Sequence, residues 1–554
     1  MHIRYYRRMA VAAVIFCAAF GFSIHASADT VGEQHTFFTD SSYDAAHRSS
    51  VPATLVYVSE HAYWYLDDTY RQALSPADAA AIGQSIVDTA REFDTNIYPK
   101  DTALWGSEPN PGIDNDSRVT ILMERLGSTT GGYFDSVNEY PRSTAPKSNQ
   151  REMITVTVDS VGTDQIKSFL AHEFQHLISF NQKELLNHVS EDVWLNELRS
   201  QYSITAAGYN DVFMTSDIRR LLNTFITNPH DSLTEWPNTS VDYSIVTLFG
   251  EYLVEHYGVG ILQETLHSPQ VGIDSINAYL RAHGYAEQFK DVFFDWVAAN
   301  IKNTTSPDQR YGYTRPELRA ISLGSDSFLF MNYPSTASIS VTAKPWAMEW
   351  DPVLLPAGIP ADQHLSVSWD DPRFAVGYLD NTGAVRLLTN PAIIDLTGVR
   401  QITFVPINIS KTAGFSDKET DASMLLNVSF TTESPTPIQP ITDGTLISRQ
   451  GSSDVYVITG NYKRYMNPGL LQLYGRSVSE VVIVSQDTFD GYPVSNYVRA
   501  ADDKKVYAVW PDGTKHWLNI TAQQFTNSGR DWNAIFTIND SELNFYKTGA
   551  DISQ

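Results

Sequence analysis

Phe169-Leu-Ala-His-Glu-Phe-Gln-His-Leu-Ile178, followed by Val193-Trp-Leu-Asn-Glu197, is the stretch on which the reading of this chain turns. Stepping by about 100° per residue gathers Ile166, Phe169, Leu170, Phe174, Leu177 and Ile178 into one apolar stripe, which predicts a helix. His172 and His176, four apart, lie one above the other at the edge of that stripe, where both imidazoles can reach one cation. Glu173 follows the first of them and is placed to take a proton from water beside such an ion. The plainer alternative is a pair of solvated surface histidines.

A three-ligand zinc site needs one more donor. One large class of zinc enzymes has Gly three and His six residues after the second His; here those positions hold Ser179 and Gln182, which excludes it. A downstream Glu on a second helix is the other common solution. Trp194, Leu195 and Leu198 supply a helix-spaced apolar face beside Glu197, with Ser190 as the expected N-cap and Glu191 and Asp192 in the first turn. Either acid is an alternative ligand; exposed helix-start charges are the other reading of both.

These residues resemble the hyicolysin-like zinc metallopeptidases, and the resemblance runs from about Thr54 to about Ile301. It is carried by Gly112-Ile-Asp-Asn-Asp-Ser-Arg-Val-Thr-Ile121, Gly131-Gly-Tyr-Phe-Asp135, Ser148-Asn149 with Glu152-Met153-Ile154, Leu170-Ala-His-Glu-Phe-Gln-His176, Trp194-Leu-Asn-Glu197 and Ser232-Leu-Thr-Glu-Trp236, in that order. The resemblance implies a gluzincin-type peptidase domain with one catalytic zinc held by His172, His176 and Glu197, and Glu173 as general base and acid. It also places Tyr243 where related enzymes carry a donor for the oxyanion of the tetrahedral intermediate; Tyr202, His188 and His256 are weaker candidates, and a packing role is the other reading of Tyr243.

Two positions depart from gluzincin habit. Leu198 follows the ligand Glu where Gly is common, and Gln201 stands four residues on, where thermolysin-like enzymes have a carboxylate that fixes a ligand His. Gln orients a ring without supplying charge, so weaker zinc affinity is expected.

Arg4, Arg7 and Arg8 precede an apolar run from Met9 to Phe22 and then Ala26-Ser-Ala28, which reads as a secretory signal peptide cleaved before Asp29. The single cysteine, Cys17, would leave with it, so neither disulfides nor thiolate ligands are expected in the mature chain. Without those three arginines the 39 basic residues become 36 against 64 acidic ones, a net charge of −28. That balance argues against nucleic acid or an anionic membrane as partner and suits a secreted, soluble protein acting on a protein or peptide substrate. No other segment is apolar enough to insert into a membrane.

The expected fold class is α+β. After the signal peptide (1–28) come a segment of unknown role (29–50), a metallopeptidase domain (51–302), a β-sandwich (303–432), the Pro-rich linker Glu433-Ser-Pro-Thr-Pro-Ile-Gln-Pro440 (to 443) and two repeats (444–498 and 499–554). In the first domain, Ser75-Pro76-Ala77-Asp78 is a well-formed helix start, and Thr54–Val58, Val119–Met123 and Met153–Val158 read as strands. Gly131 to Ile154 is the candidate cleft wall; an ordinary sheet edge is the alternative. Asp114-Asn-Asp116 admits calcium, but a turn into the strand at Val119 explains it more fully, and calcium stays an unsupported addition.

Alternating Ser338–Thr342, His364–Trp369, Gln401–Val405 and Leu425–Phe430 give the sandwich. In each repeat a hairpin, a short helix and a strand are expected, with Asp512-Gly513 as a hairpin turn. Arg464, Tyr465, His516 and Trp517 are either exposed contacts for a cell-surface or matrix polymer or core positions. The expectation for the whole is a secreted zinc endopeptidase; the alternative is a surface- or matrix-binding protein with a weakened peptidase domain.

Overall fold

The structure, a computed structural model, describes residues 28–552 apart from 284, 286, 305–307, 326, 435–440, 450–451, 453, 486–487, 490, 502, 511–512 and 528–529. The signal peptide, most of the Pro-rich linker and Asp512 of the expected hairpin turn therefore lie outside the described residues. The chain forms two compact units: one of residues 1–275, 313–321 and 411–419, the other of 276–312, 322–410 and 420–554. The first unit includes 411–419 because the Trp236 amide bonds the Ser416 carbonyl (3.1 Å) and Glu235 accepts from the Glu419 amide (2.8 Å).

The first unit is built on a six-stranded sheet of β1 (Gln34–Phe38), β2 (Ser50–Val58), β3 (Ala62–Asp67), β4 (Val119–Glu124), β5 (Gly132–Phe134) and β6 (Met153–Thr157), in the order β1-β2-β3-β4-β6-β5. β3, β4 and β6 run parallel, and β5 returns antiparallel to β6 as the sheet's edge. Residues 29–50, unassigned from sequence, contribute β1. Asn149 bonds both the N–H and C=O of Phe38 (2.8 and 2.9 Å), tying this segment to the expected cleft wall.

The helices of this unit are α1 (Asp68–Ala73), α2 (Pro76–Glu92), α3 (Tyr98–Trp105), α4 (Gln165–Ser179), α5 (Val193–Ala206), α6 (Asp217–Thr227), α7 (Ser240–Tyr257) and α8 (Gly260–His267). α2 starts as its sequence demands: the Ser75 side chain accepts from the Asp78 amide, with Pro76 at N1. Trp64 of β3 meets Phe93 edge-on (6.1 Å), and Phe93 meets Phe174 of α4 (5.3 Å), so aromatic burial fixes α4 against the sheet.

In the second unit two sheets share one core that includes Val353, Leu365, Val376, Phe404 and Leu426. Their strands are β7 (Leu329–Phe330), β8 (Thr336–Ala343), β9 (Asp351–Leu354), β10 (His364–Trp369), β11 (Phe374–Asp380), β12 (Val385–Leu387), β13 (Ala392–Asp395), β14 (Gln401–Asn408) and β15 (Ala422–Thr431), ordered β13-β10-β15-β8 and β12-β11-β14-β9-β7. β15 alternates buried and exposed along Ala422–Val428, as a strand with one face on a core must.

Two smaller sheets follow. β16 (Leu446–Arg449), β17 (Tyr456–Thr459), β18 (Tyr462–Tyr465) and β19 (Val482–Val484) are ordered β18-β17-β16-β19. β20 (Tyr497–Ala500), β21 (Tyr507–Val509), β22 (Thr514–Trp517), β23 (Phe536–Ile538) and β24 (Lys547–Thr548) are ordered β23-β20-β21-β22-β24. In each, a hairpin is followed by a short helix and by a strand parallel to the one that opens the repeat. The reading of Arg464 and His516 as exposed contacts is corrected: they are 3% and 7% exposed, and Arg464 is bound to Glu542.

Candidate metal centre

α4 carries its apolar stripe into the core: Ile166, Leu170, Phe174, Leu177 and Ile178 are all buried, which turns the adjoining edge with His172 and His176 inward as well. α5 lies across α4 and delivers Glu197 to the same point. The Nε2 atoms of the two histidines are 3.0 Å apart, and Glu197 Oε2 lies 3.2 Å from the first and 3.5 Å from the second. Bonds of about 2.0–2.1 Å in a tetrahedral site set ligand atoms roughly 3.3 Å apart, so this triangle has the dimensions zinc requires.

The donor chemistry fits as well. Ser200 Oγ donates to Gln175 Oε1 (2.5 Å) and lies 2.9 Å from His176 Nδ1, while Gln175 Nε2 donates to Ser179 (2.8 Å). With its own proton engaged, the serine accepts the His176 Nδ1 proton. That leaves His176 Nε2 bare and facing His172 Nε2, an arrangement a cation between them relieves. Among the described residues Glu197 Oε1, His172 Nδ1 and both Glu173 oxygens have no hydrogen-bond partner.

Electrostatics separate the two acids. Burial pushes Glu197 up, but the imidazoles of His176 and His172 override it and hold its carboxyl well below the usual range. Burial also pushes His172 down, to about 4, so the ring is neutral and its lone pair free. Glu173 is raised well above an ordinary glutamate by burial and then by the charge of Glu197; the Phe134 amide lies near enough to oppose this without making a hydrogen bond. A bound cation adds its own charge to all three.

The edge strand β5 runs directly over Glu173. A Cβ on Gly132 would come within 2.9 Å of Glu173 Oε1 and 2.8 Å of the Thr155 carbonyl, so only glycine lets the backbone approach this closely. Tyr243, in the first turn of α7, has its ring centre 6.3 Å from that of His172 and its hydroxyl 3.0 Å from Asn238 Oδ1. Burial, then the charges of Glu197 and Glu173, raise its hydroxyl well above 10, so it stays a proton donor. Tyr202 instead faces Trp105 (6.5 Å) and His256 packs on Tyr252 (4.3 Å).

Several expectations around α5 change. Asp192, not Ser190, occupies the N-cap position, with no side-chain cap bond. Glu191 is not an exposed helix-start charge: it is 5% exposed, paired with Arg199 (2.8 Å) and Lys183 (3.2 Å), and accepts from the Gly272 amide (2.7 Å). Those two cations outweigh burial and keep it ionised, and Lys183 is pushed down by burial to about 8. Leu198 is a packing residue over Gly250, whose Cβ position lies 3.1 Å from the leucine methyl. Gln201 makes no hydrogen bond to either histidine among the described residues; the ring of His176 is held by Ser200. Serine three residues after Glu197 shares its helical face, the one signal from which sequence could have found it.

The fold and the trio define a mixed α+β protein with a buried His-His-Glu centre able to hold a metal. No family model matches the chain. Over 219 residues it is 30% identical to the neutral metalloprotease ShpI of Staphylococcus hyicus, a match that takes in 35% of this chain and 47% of that protein. The chain thus spans about half the length of the curated relative it matches. Among solved structures, PliG of Salmonella Typhimurium, a periplasmic lysozyme inhibitor, covers 19% of this chain and 97% of that one at 12% identity and a TM-score of 0.12, and an Escherichia coli PliG mutant is as distant; both likenesses are too slight to carry an argument.

Proposed function

We propose that the chain is a zinc-dependent endopeptidase of hyicolysin-like, gluzincin type, holding one zinc ion on His172, His176 and Glu197. The observation that carries this is the buried triangle of ligand atoms with an unpartnered carboxylate, Glu173, next to it. Zinc with three protein ligands keeps a position open and lowers the pKa of water there to about 7. With the ion bound, its charge would oppose the burial that raises Glu173 and favour the carboxylate, which would then be placed to take a proton from water in that position and return it to the leaving amine.

β5 is the last strand of its sheet, and its outer side, buried in this structure, is where the substrate would pair as a further strand beside Glu173. Tyr243 donates a hydrogen bond to the developing oxyanion, a contact worth a few kcal/mol in comparable sites. Leu198 and Gln201, the two departures that favoured a weakened enzyme, lose that force, since one fills space over Gly250 and the other does not hold a ligand ring. Secretion rests on the reading of residues 1–28 as a signal peptide; no helix of the described residues is long and apolar enough to cross a membrane.

The test is hydrolysis of an unfolded protein by the wild type and by Glu173→Gln, each first shown to bind one zinc. The variant is expected to lose roughly 10²- to 10⁴-fold in rate with zinc unchanged. Comparable rates for the two proteins would remove Glu173 from the chemistry and overturn the assignment.

A further inference from the structure

Ser232-Leu-Thr-Glu-Trp236 joins α6 to α7 without being helix or strand, yet all five residues are buried, Trp236 the least at 9% exposed. Irregular backbone in such a place has to find its hydrogen bonds outside a regular ladder. Ser232 Oγ supplies two of them, accepting from the amides of Thr234 (3.2 Å) and Glu235 (3.1 Å). The next two come from far along the chain: the Trp236 amide donates to the Ser416 carbonyl (3.1 Å), and Glu235 Oε1 accepts from the Glu419 amide (2.8 Å).

Ser416 and Glu419 lie on Lys411–Glu419, a part of the connection from β14 to β15 that belongs to the first unit rather than to the strands it joins. This segment is closed on itself by one carboxylate. Glu419, its side chain 6% exposed, accepts at Oε1 from the Lys411 ammonium (2.6 Å) and from the Ser416 amide (2.7 Å). Hydrogen bonds to an ionised acceptor are the strong kind, so the segment presents the Ser416 carbonyl and the Glu419 amide at fixed places. What they hold in place is Trp236, whose ring meets that of Tyr243 edge-on (5.2 Å, 80°). Two residues further on, Asn238, at φ +65°, accepts from the Tyr243 hydroxyl (3.0 Å).

We propose that Trp236, held by Lys411–Glu419, is a positioning residue for Tyr243. The hydroxyl stands at the far end of the tyrosine ring, where a small turn of the ring moves it most, and an oxyanion donor works only within hydrogen-bonding distance of the oxygen it serves. An edge-on aromatic neighbour restricts that turn without occupying the hydroxyl. The Ser232–Trp236 stretch thereby gains a task, and so does the connection between two strands that carry no chemistry of their own. The role of Tyr243 itself rests on the peptidase reading; the docking of 411–419 on Glu235 and Trp236 does not.

The experiment measures kcat, KM and bound zinc on an unfolded protein substrate for the full chain and its variants. Trp236→Ala should lower kcat roughly 10- to 100-fold, the cost of a catalytic group displaced by about 1 Å, with KM and zinc content unchanged. Trp236→Phe, which keeps an aromatic edge against Tyr243, should restore most of the rate. In a Tyr243→Phe background Trp236→Ala should cost little more, because the hydroxyl it positions is already gone. Glu235→Ala should lower kcat by a smaller factor and speed hydrogen exchange at the Trp236 and Glu419 amides. A Trp236→Ala variant as fast as an active wild type, an equal loss in both backgrounds, or a joint loss of zinc and rate overturns this inference alone. A wild type that binds zinc and hydrolyses nothing overturns the peptidase reading and the positioning role with it.

Discussion

The metal centre and the C-terminal repeats bury charge in opposite ways. In the repeats, the two terminal nitrogens of Arg464 both bond Glu542 (2.6 and 3.2 Å), whose oxygens also accept from Tyr546 (2.8 Å) and Tyr474 (2.5 Å). Lys463 donates to the carbonyls of Phe489 (2.8 Å) and Tyr492 (2.5 Å). At the centre, Glu173 is wholly buried with both oxygens bare, as is one oxygen of Glu197. A buried charge that has found its partners inside the chain holds a fold together. One that has not calls for an explanation, which at the centre a bound cation would supply.

The comparison breaks first at the centre. Glu197→Ala should reduce bound zinc from one per chain to none and abolish hydrolysis, because the remaining two imidazoles cannot close the site. Elemental analysis of the purified variant checks this, with circular dichroism to show an intact fold; full zinc occupancy would mean that another residue completes the ligand set.

At the other pole, Glu542→Ala leaves Arg464 buried without its counter-charge, and about 3–5 kcal/mol of stability should be lost from the repeats. Denaturant unfolding followed at the repeat tryptophans reads that loss. Zinc content and hydrolysis should not change. A variant as stable as the wild type would show that the pair is only incidental to the fold.

How much of this was legible beforehand depended on whether the signal was local. The helix bearing His172 and His176 announces itself by spacing, and strands such as His364–Trp369, with one face on a core, by alternation. β3 gives no such sign: Ala-Tyr-Trp-Tyr-Leu-Asp is buried on both faces, so its period is erased. Glu191 looked like a helix-start charge because its partners, Lys183 and Arg199, meet it only once α5 docks near the end of α4.

A smaller effect sharpens what surrounds the centre. Ser200→Ala removes the acceptor that holds His176 in register, and zinc affinity should fall roughly 10- to 100-fold with the ligands themselves intact. Gln201→Glu should yield no gain, against the expectation that the missing charge at 201 weakens zinc binding, since among the described residues Gln201 makes no hydrogen bond to either ring. Competitive zinc titration of the two variants separates them; a gain in Gln201→Glu would return the supporting role to position 201.

A pH-dependent effect belongs to a buried acid that lies between the two extremes. Glu124, at the end of β4, accepts from Tyr133 of β5 (3.2 Å), and its Oε2 lies 3.8 Å from Arg48 without making a hydrogen bond. Burial, then the charge of Asp44, pushes it up to about 8 from 4.5. The unfolded chain therefore releases this proton near 4.5 while the folded chain keeps it to about 8, so across that window the native state binds more protons and its stability falls as pH rises. The contribution is whole below the lower value and gone above the upper. Unfolding midpoints of wild type and Glu124→Gln, compared at pH 5 and pH 8, isolate it: the wild type should lose more between the two than the variant, and equal losses would mean that Arg48 keeps Glu124 ionised throughout, making it one more internally satisfied charge like Glu542.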